Sequence, residues 1–169
     1  LTMRKLLMNK MQYNYQVYKK RVMETVEKAR GVVDDVYIGY VEKAMDKIDS
    51  LVVELKNQMG DGNYTHIFAN ATPLQQVFAM MTYGWMHLWS LSIAQPKLKD
   101  IIWGKTAKER DAFIKENPEA AYYSGRVLSS QFYLGAEFHK VFGRIEYVMT
   151  GEGAVEKSFA AHFTGALEE

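Results

Sequence analysis

A chain of 169 residues, 48% of them hydrophobic, is long enough to bury a sizeable core, so one compact domain over 1–169 is expected. Its 21 basic and 20 acidic residues leave a formal charge of +1, which argues against nucleic-acid binding through a concentrated basic surface. Cysteine is absent, which excludes disulfides, thiolate catalysis and zinc-thiolate sites and allows a reducing compartment such as the cytoplasm.

The chain opens Leu1-Thr2-Met3-Arg4-Lys5, with neither an initiator methionine nor the apolar core of a signal peptide, and reads as a piece of something longer. Over 4–29, Leu7, Met11, Tyr15, Tyr18, Val22, Val26 and Ala29 recur at steps of three and four, one stripe of an amphipathic helix. The other faces carry Arg4, Lys5, Lys10, Lys19, Lys20 and Arg21, with no acidic residue before Glu24. Such a basic face is solvated, meets acidic groups of the same protein, or lies on an anionic surface. Gly31 ends the pattern, and Asp34 or Asp35 is placed to cap a second helix over 36–59. Its inner stripe is Tyr37, Val41, Ala44, Ile48, Leu51, Leu55 and Met59, and its outer face is mixed charge. Gly60-Asp61-Gly62-Asn63 then turns the chain.

No Asp, Glu, Lys or Arg occurs between Asp61 and Lys97. Thr72, Pro73 and Gln75 spell a capping box with proline at the first helical position, so a third helix is expected over 73–95. Apolar side chains occupy most of its circumference, and at roughly 1.5 Å per residue it is long enough to cross a domain or a bilayer. Gln75, Gln76, Thr82, Tyr83, His87, Ser90 and Ser92 punctuate it, and each would need an internal partner in hydrocarbon, so it reads as the buried centre of a helical bundle.

Pro96 is expected to stop or kink that helix, and 97–117 reads as a charged connector with a short helix over 107–116 started by a Thr106/Glu109 box. Asn117-Pro118 starts a fourth long helix running to 150, with Tyr123, Val127, Ser130, Leu134, Phe138, Val141, Ile145 and Val148 inward. Gly125, Leu128, Phe132, Gly135, His139 and Phe142 flank that stripe and predict a wide buried sector, in which Gly125 and Gly135 touch a neighbouring helix. A small helix over 155–167 follows the glycines at 151 and 153. Four long helices and no convincing strand give an all-α fold, an antiparallel four-helix bundle with a connector helix between helices three and four.

No catalytic, cofactor-binding or metal-ligating residue is assigned. His66, His87, His139 and His162 are preceded three positions earlier by Asn63, Gly84, Ala136 and Phe159, so none makes the Glu-x-x-His pair of a di-iron bundle. Glu137 and His139, two apart, point to different sides of a helix. His87 and His139 read as hydrogen-bonded core histidines. Glu146 is either a buried carboxylate or a partner in a surface salt bridge. Ser124, Ser129 and Ser130 lack a nucleophile elbow, and Gly60-Asp61-Gly62 and Gly151-Glu152-Gly153 are too short for a dinucleotide loop.

Ala69-Asn70-Ala71-Thr72-Pro73-Leu74, Val77-Phe78 and Gly84-Trp85-Met86 resemble the third helix of the extra C-terminal domain carried by one group of acyl-CoA dehydrogenases. Tyr122-Tyr123-Ser124-Gly125-Arg126 with Ser130-Gln131-Phe132-Tyr133 is similar to the start of that domain's fourth helix, and Leu1-Thr2-Met3 resembles the exit from the catalytic core. The connector 97–117 is longer and more charged than the family pattern.

The resemblance implies an accessory domain of a longer flavoenzyme that dehydrogenates acyl-CoA thioesters with FAD and a glutamate base. Electrons would pass to an electron-transfer flavoprotein, and the enzyme would be a homo-oligomer. The Tyr-Glu-Gly-Thr type motif of the base is absent, and Glu152 in Gly-Glu-Gly stands in the wrong context for the role. The domain would pack on the catalytic core or subunit interface, which predicts that some of Trp85, Trp89 and Trp103 is covered only in the intact enzyme. The competing readings are a free-standing interaction bundle, binding an acidic protein or membrane surface through Lys19, Lys20 and Arg21, and a small-molecule binder using the Met and Trp of helix three.

Overall fold

A computed structural model of the protein describes residues 12–151 and 153–164, and among them there is no strand. In chain order the elements are α1 (Tyr13–Ala29), α2 (Asp35–Gly60), α3 (Tyr64–Ala69), α4 (Ala71–Ile101), α5 (Ala107–Glu116), α6 (Pro118–Phe132), a π-helical turn (Tyr133–Glu137), α7 (Lys140–Thr150) and α8 (Ala161–Thr164). The expected start of the first helix, the opening tripeptide, Glu152 and the end of the terminal helix lie outside the described residues.

The long central helix touches α1, α2, α6 and α7, while α2 also meets α1 and α7. Its inward side chains Leu74, Val77, Met81, Leu88 and Leu91 are fully buried, as are Ile48, Leu51 and Leu55 of α2 and Val141 and Val148 of α7. Each such side chain taken out of water stabilises the fold by about 1.5–3 kcal/mol before entropy is counted. Of the stripes read from α1 and α2, Tyr15, Val22, Val26 and Ala29 of the one and Val41, Ala44, Ile48, Leu51 and Leu55 of the other are buried in one core. Tyr18, Tyr37 and Met59 are partly buried against it, and Leu7 and Met11 lie outside the described residues. No helix among the described residues is long and apolar enough to cross a membrane.

The seam between α1 and α4 is aromatic and hydrogen-bonded. Tyr18 packs edge-on against Phe78 and Trp85, with both centroid separations 5.8 Å. Its hydroxyl lies 3.1 Å from Thr82 Oγ1, and the Trp85 indole N–H donates to Thr25 Oγ1 at 2.7 Å. Burial pushes the Tyr18 phenol up to about 12. Between α1 and α2, the buried Tyr15 hydroxyl and Lys19 Nζ both donate to Asp49, the latter at 2.5 Å. Arg21 meets Glu24 at 3.1 Å. Part of the basic face of α1 therefore answers carboxylates of the same chain.

Several boundaries depart from the sequence reading. The Thr72/Gln75 box does not form. Helix α4 begins at Ala71 behind Asn70, so Thr72 and Pro73 lie in its first turn, where amides have no helical acceptor in any case. Asn70 Nδ2 donates to the His66 carbonyl at 3.0 Å and joins α4 to the unanticipated short helix α3. Pro96 does not stop α4, which runs on to Ile101. The carbonyl of Ser92 loses a donor there, but both residues sit on a partly exposed side where water can reach it. The Thr106/Glu109 box is formed in α5, and Asn117 accepts from the Ala120 amide at 3.0 Å to start α6.

The fourth helix is not continuous. At Tyr133–Glu137 it widens into a π turn, closed by the Phe138 amide on the Tyr133 carbonyl at 2.8 Å. Phe138 is brought inward and fully buried against Gly84 of α4, where an added Cβ would overlap its ring. The close helix approach is thus made at Gly84. Gly125 has open space beside it, and Gly135 meets only the ring of Tyr37, at ordinary contact distance.

Candidate functional site

Helix α4 beyond Leu88 with the turn that follows it, and helix α6, form a two-helix arm several of whose large apolar side chains are poorly covered. Trp89 is 51% exposed, Tyr122 59%, Leu128 62%, Phe132 67% and Trp103 77%. The wide buried sector expected of the fourth helix is therefore narrower, with Leu128 and Phe132 turned out beside Ala121 and Gly125. Five large apolar side chains on one short arm are more than the scattered surface hydrophobics of an ordinary monomer.

Along the seam of the arm runs an open groove of about 350 Å³, lined in part by Met86, Trp89, Ile93, Tyr122, Tyr123 and Arg126. Lys97 Nζ donates to the Tyr123 hydroxyl at 3.0 Å, and the Arg126 guanidinium stands 5.9 Å from the Tyr122 ring centroid. Below the groove His87 lies stacked on Tyr133, 4.4 Å between centroids and 17° between planes. Its Nδ1 is 3.1 Å from Ser130 Oγ. Desolvation first, and then the nearby Arg126 charge, hold the His87 imidazole below its ordinary pKa.

A serine beside a neutral histidine invites a nucleophilic reading, which the backbone refuses. Ser130 is buried in a helix whose amides are committed to helical bonds, so the position offers no paired amides for a developing oxyanion. His87 is the hydrogen-bonded histidine anticipated, though only half-buried. His139 is not. Phe138 holds the inward position as expected, and His139 beside it is exposed with its ring 4.4 Å from that of Tyr40. Glu146 is exposed rather than a buried carboxylate, and Glu137 pairs with Lys140 at 2.5 Å. Among the described residues no group of three or more His, Asp or Glu could hold a metal ion.

One buried polar contact had no signal in the sequence. His66, 6% exposed, meets Glu156 through Nδ1 at 2.5 Å, with Asn70 Nδ2 3.3 Å from its Nε2, and its ring fills the space beside Gly151. It fastens the segment after α7 to α3 and, through Asn70, to the start of α4. The partners are 90 residues apart, beyond the reach of local spacing.

The described residues are all-helical, with an arm whose large apolar side chains stand exposed. The model of the family described as "acetyl-CoA dehydrogenase C-terminal like" matches residues 19–157, and the chain belongs to that family. No curated protein and no solved structure matches the chain.

Proposed function

We propose that this chain is the accessory C-terminal domain, 1–169, of an FAD-dependent acyl-CoA dehydrogenase-like enzyme, and that it docks on the catalytic core or subunit interface without making or breaking bonds. The observation that carries the reading is the family match over 19–157. The uncovered arm supports it, because Leu128, Phe132 and Trp103 are the kind of surface that a neighbouring domain removes from water. In this reading α1, α2, α4 and the α6–α7 pair form an antiparallel four-helix bundle, and the parent is a cytoplasmic homo-oligomer. Acyl-CoA and an electron-transfer flavoprotein meet the catalytic part.

The described residues do not fit a flavin site. The grooves are open and lined by helix side chains, and the Gly60–Gly62 turn ends a helix and leads into another, with no strand before it to form a phosphate-binding turn. FAD is accordingly assigned to the rest of the parent chain. The interaction-bundle alternative relies on Lys19, Lys20 and Arg21, of which Lys19 and Arg21 already face Asp49 and Glu24.

The test is to purify the native polypeptide carrying this sequence, record its visible spectrum and assay acyl-CoA oxidation with an artificial electron acceptor. A flavin spectrum bleached by acyl-CoA is expected. A native polypeptide with neither flavin nor acyl-CoA oxidation would overturn the proposal.

A further inference from the structure

The groove between α4 and α6 holds donors that the chain itself does not answer. Among the described residues that line it, Arg126 is the one charged side chain, and it meets no carboxylate within 4.0 Å. The Trp89 indole N–H and the Ser90 hydroxyl, in the same lining, make no hydrogen bond among the described residues. The walls between these donors are apolar, with Met86 and Ile93 on α4 and the Tyr122 ring on α6. At about 350 Å³ the groove stands at the small end of the range that holds small molecules.

The charges at its two ends narrow the ligand. The Arg126 charge reaches the arm's interior, where, after desolvation, it holds the His87 imidazole below its ordinary pKa. Lys97, at the other end, is already answered by the Tyr123 hydroxyl at 3.0 Å and by the field of Glu119. The groove therefore attracts one anion at Arg126 and repels a second near Glu119. A guanidinium presents a planar fork of N–H donors that matches a carboxylate, while Trp89 and Tyr122 offer flat apolar surface to a ring. We propose that the groove binds a small monocarboxylate with an apolar, ring-sized body, its carboxylate on Arg126 and its body between Trp89, Ile93 and Tyr122. A phosphate ester would carry more charge than one guanidinium answers, and a second carboxylate would meet Glu119. The site uses other side chains than Leu128, Phe132 and Trp103, and it does not rest on the flavoenzyme reading.

An NMR titration of the full 169-residue chain with hydrocinnamate, followed at the indole N–H resonances of Trp85, Trp89 and Trp103, tests it. Saturable shifts are expected, largest at Trp89, with a dissociation constant of about 1 mM or tighter for a ligand of this size. Hydrocinnamyl alcohol, the same body without the charge, is expected to bind about tenfold more weakly or worse. Arg126→Gln is expected to weaken hydrocinnamate by about tenfold. Arg126 is exposed on a helix, so circular dichroism should show unchanged helix content, and the comparison of acid with alcohol needs no variant. Absence of a saturable shift overturns the proposal, as does equal binding of acid and alcohol. So does a folded Arg126→Gln chain that binds hydrocinnamate as before, or a response centred on Trp103 in place of Trp89.

Discussion

The two ends of the central helix are covered very differently. Around Leu74 to Leu88, α4 packs against α1 through Phe78, Thr82 and Trp85, the Trp85 indole donates to Thr25, and Phe138 is pressed against Gly84, with Tyr83 the one large hydrophobic side chain left exposed. Beyond Leu88 the inward Leu91 and Ala94 stay buried, but Trp89 and Ile93 face outward, as do Leu128 and Phe132 of the neighbouring α6. The enclosed end is built to hold itself together. The open end carries the same kinds of side chain without the neighbours that would justify them, which is how a surface built for a further protein surface looks from one side.

Truncation on adjacent residues should break this contrast most visibly. Leu88→Ala removes a fully buried side chain and is expected to cost about 2–5 kcal/mol, whereas Trp89→Ala, at a half-exposed position, should cost clearly less, about 1 kcal/mol, in the isolated chain despite the larger side chain lost. Chemical denaturation of both variants makes the comparison. Glycines sharpen it next. Gly84→Ala sets a methyl group against the Phe138 ring and should destabilise by about 1–3 kcal/mol. Gly125→Ala, in open space on a helix, should gain up to about 1 kcal/mol. Thermal melts that moved in the same direction for both would contradict the assignment of the close contact.

Smaller still is Trp85→Phe, which keeps an aromatic ring against Tyr18 but loses the donor to Thr25, for an expected cost of about 1 kcal/mol. The smallest effect is a pH dependence at the junction of the two regions. Because the folded pKa of His87 is depressed, the folded state binds fewer protons, and stability is present above the ordinary imidazole value and lost as pH falls through the folded one. Melting temperature should therefore drop between about pH 7 and pH 5, and His87→Gln should drop less.

The enclosed region was largely legible in the sequence. Stripes such as Val41, Ala44, Ile48, Leu51 and Leu55 repeat with the helical period because burial selects them, and Thr106, Asn117 and Pro118 mark starts by local hydrogen-bonding chemistry. What escaped depends on tertiary contact. Pro96 breaks a helix only where its lost hydrogen bond cannot be made good by water, and Thr72 cannot cap a helix that already begins ahead of it at Ala71. The stripe through Val127, Ser130, Leu134, Phe138 and Val141 is buried as its period predicts, whereas Leu128, Phe132 and His139 lie beside it, where the described residues leave them exposed. Periodicity states that a residue is apolar; it does not state whether its cover comes from this chain.

That cover is the central claim, and hydroxyl-radical footprinting of the native polypeptide against the 169-residue chain tests it most directly. The account predicts that Leu128, Phe132 and Trp103 are modified readily in the chain by itself and protected in the native polypeptide, while Tyr13 and Tyr64, exposed and remote from the arm in sequence, show a smaller change. Equal modification of the three in both preparations would mean that nothing docks on the arm, and the account would fail.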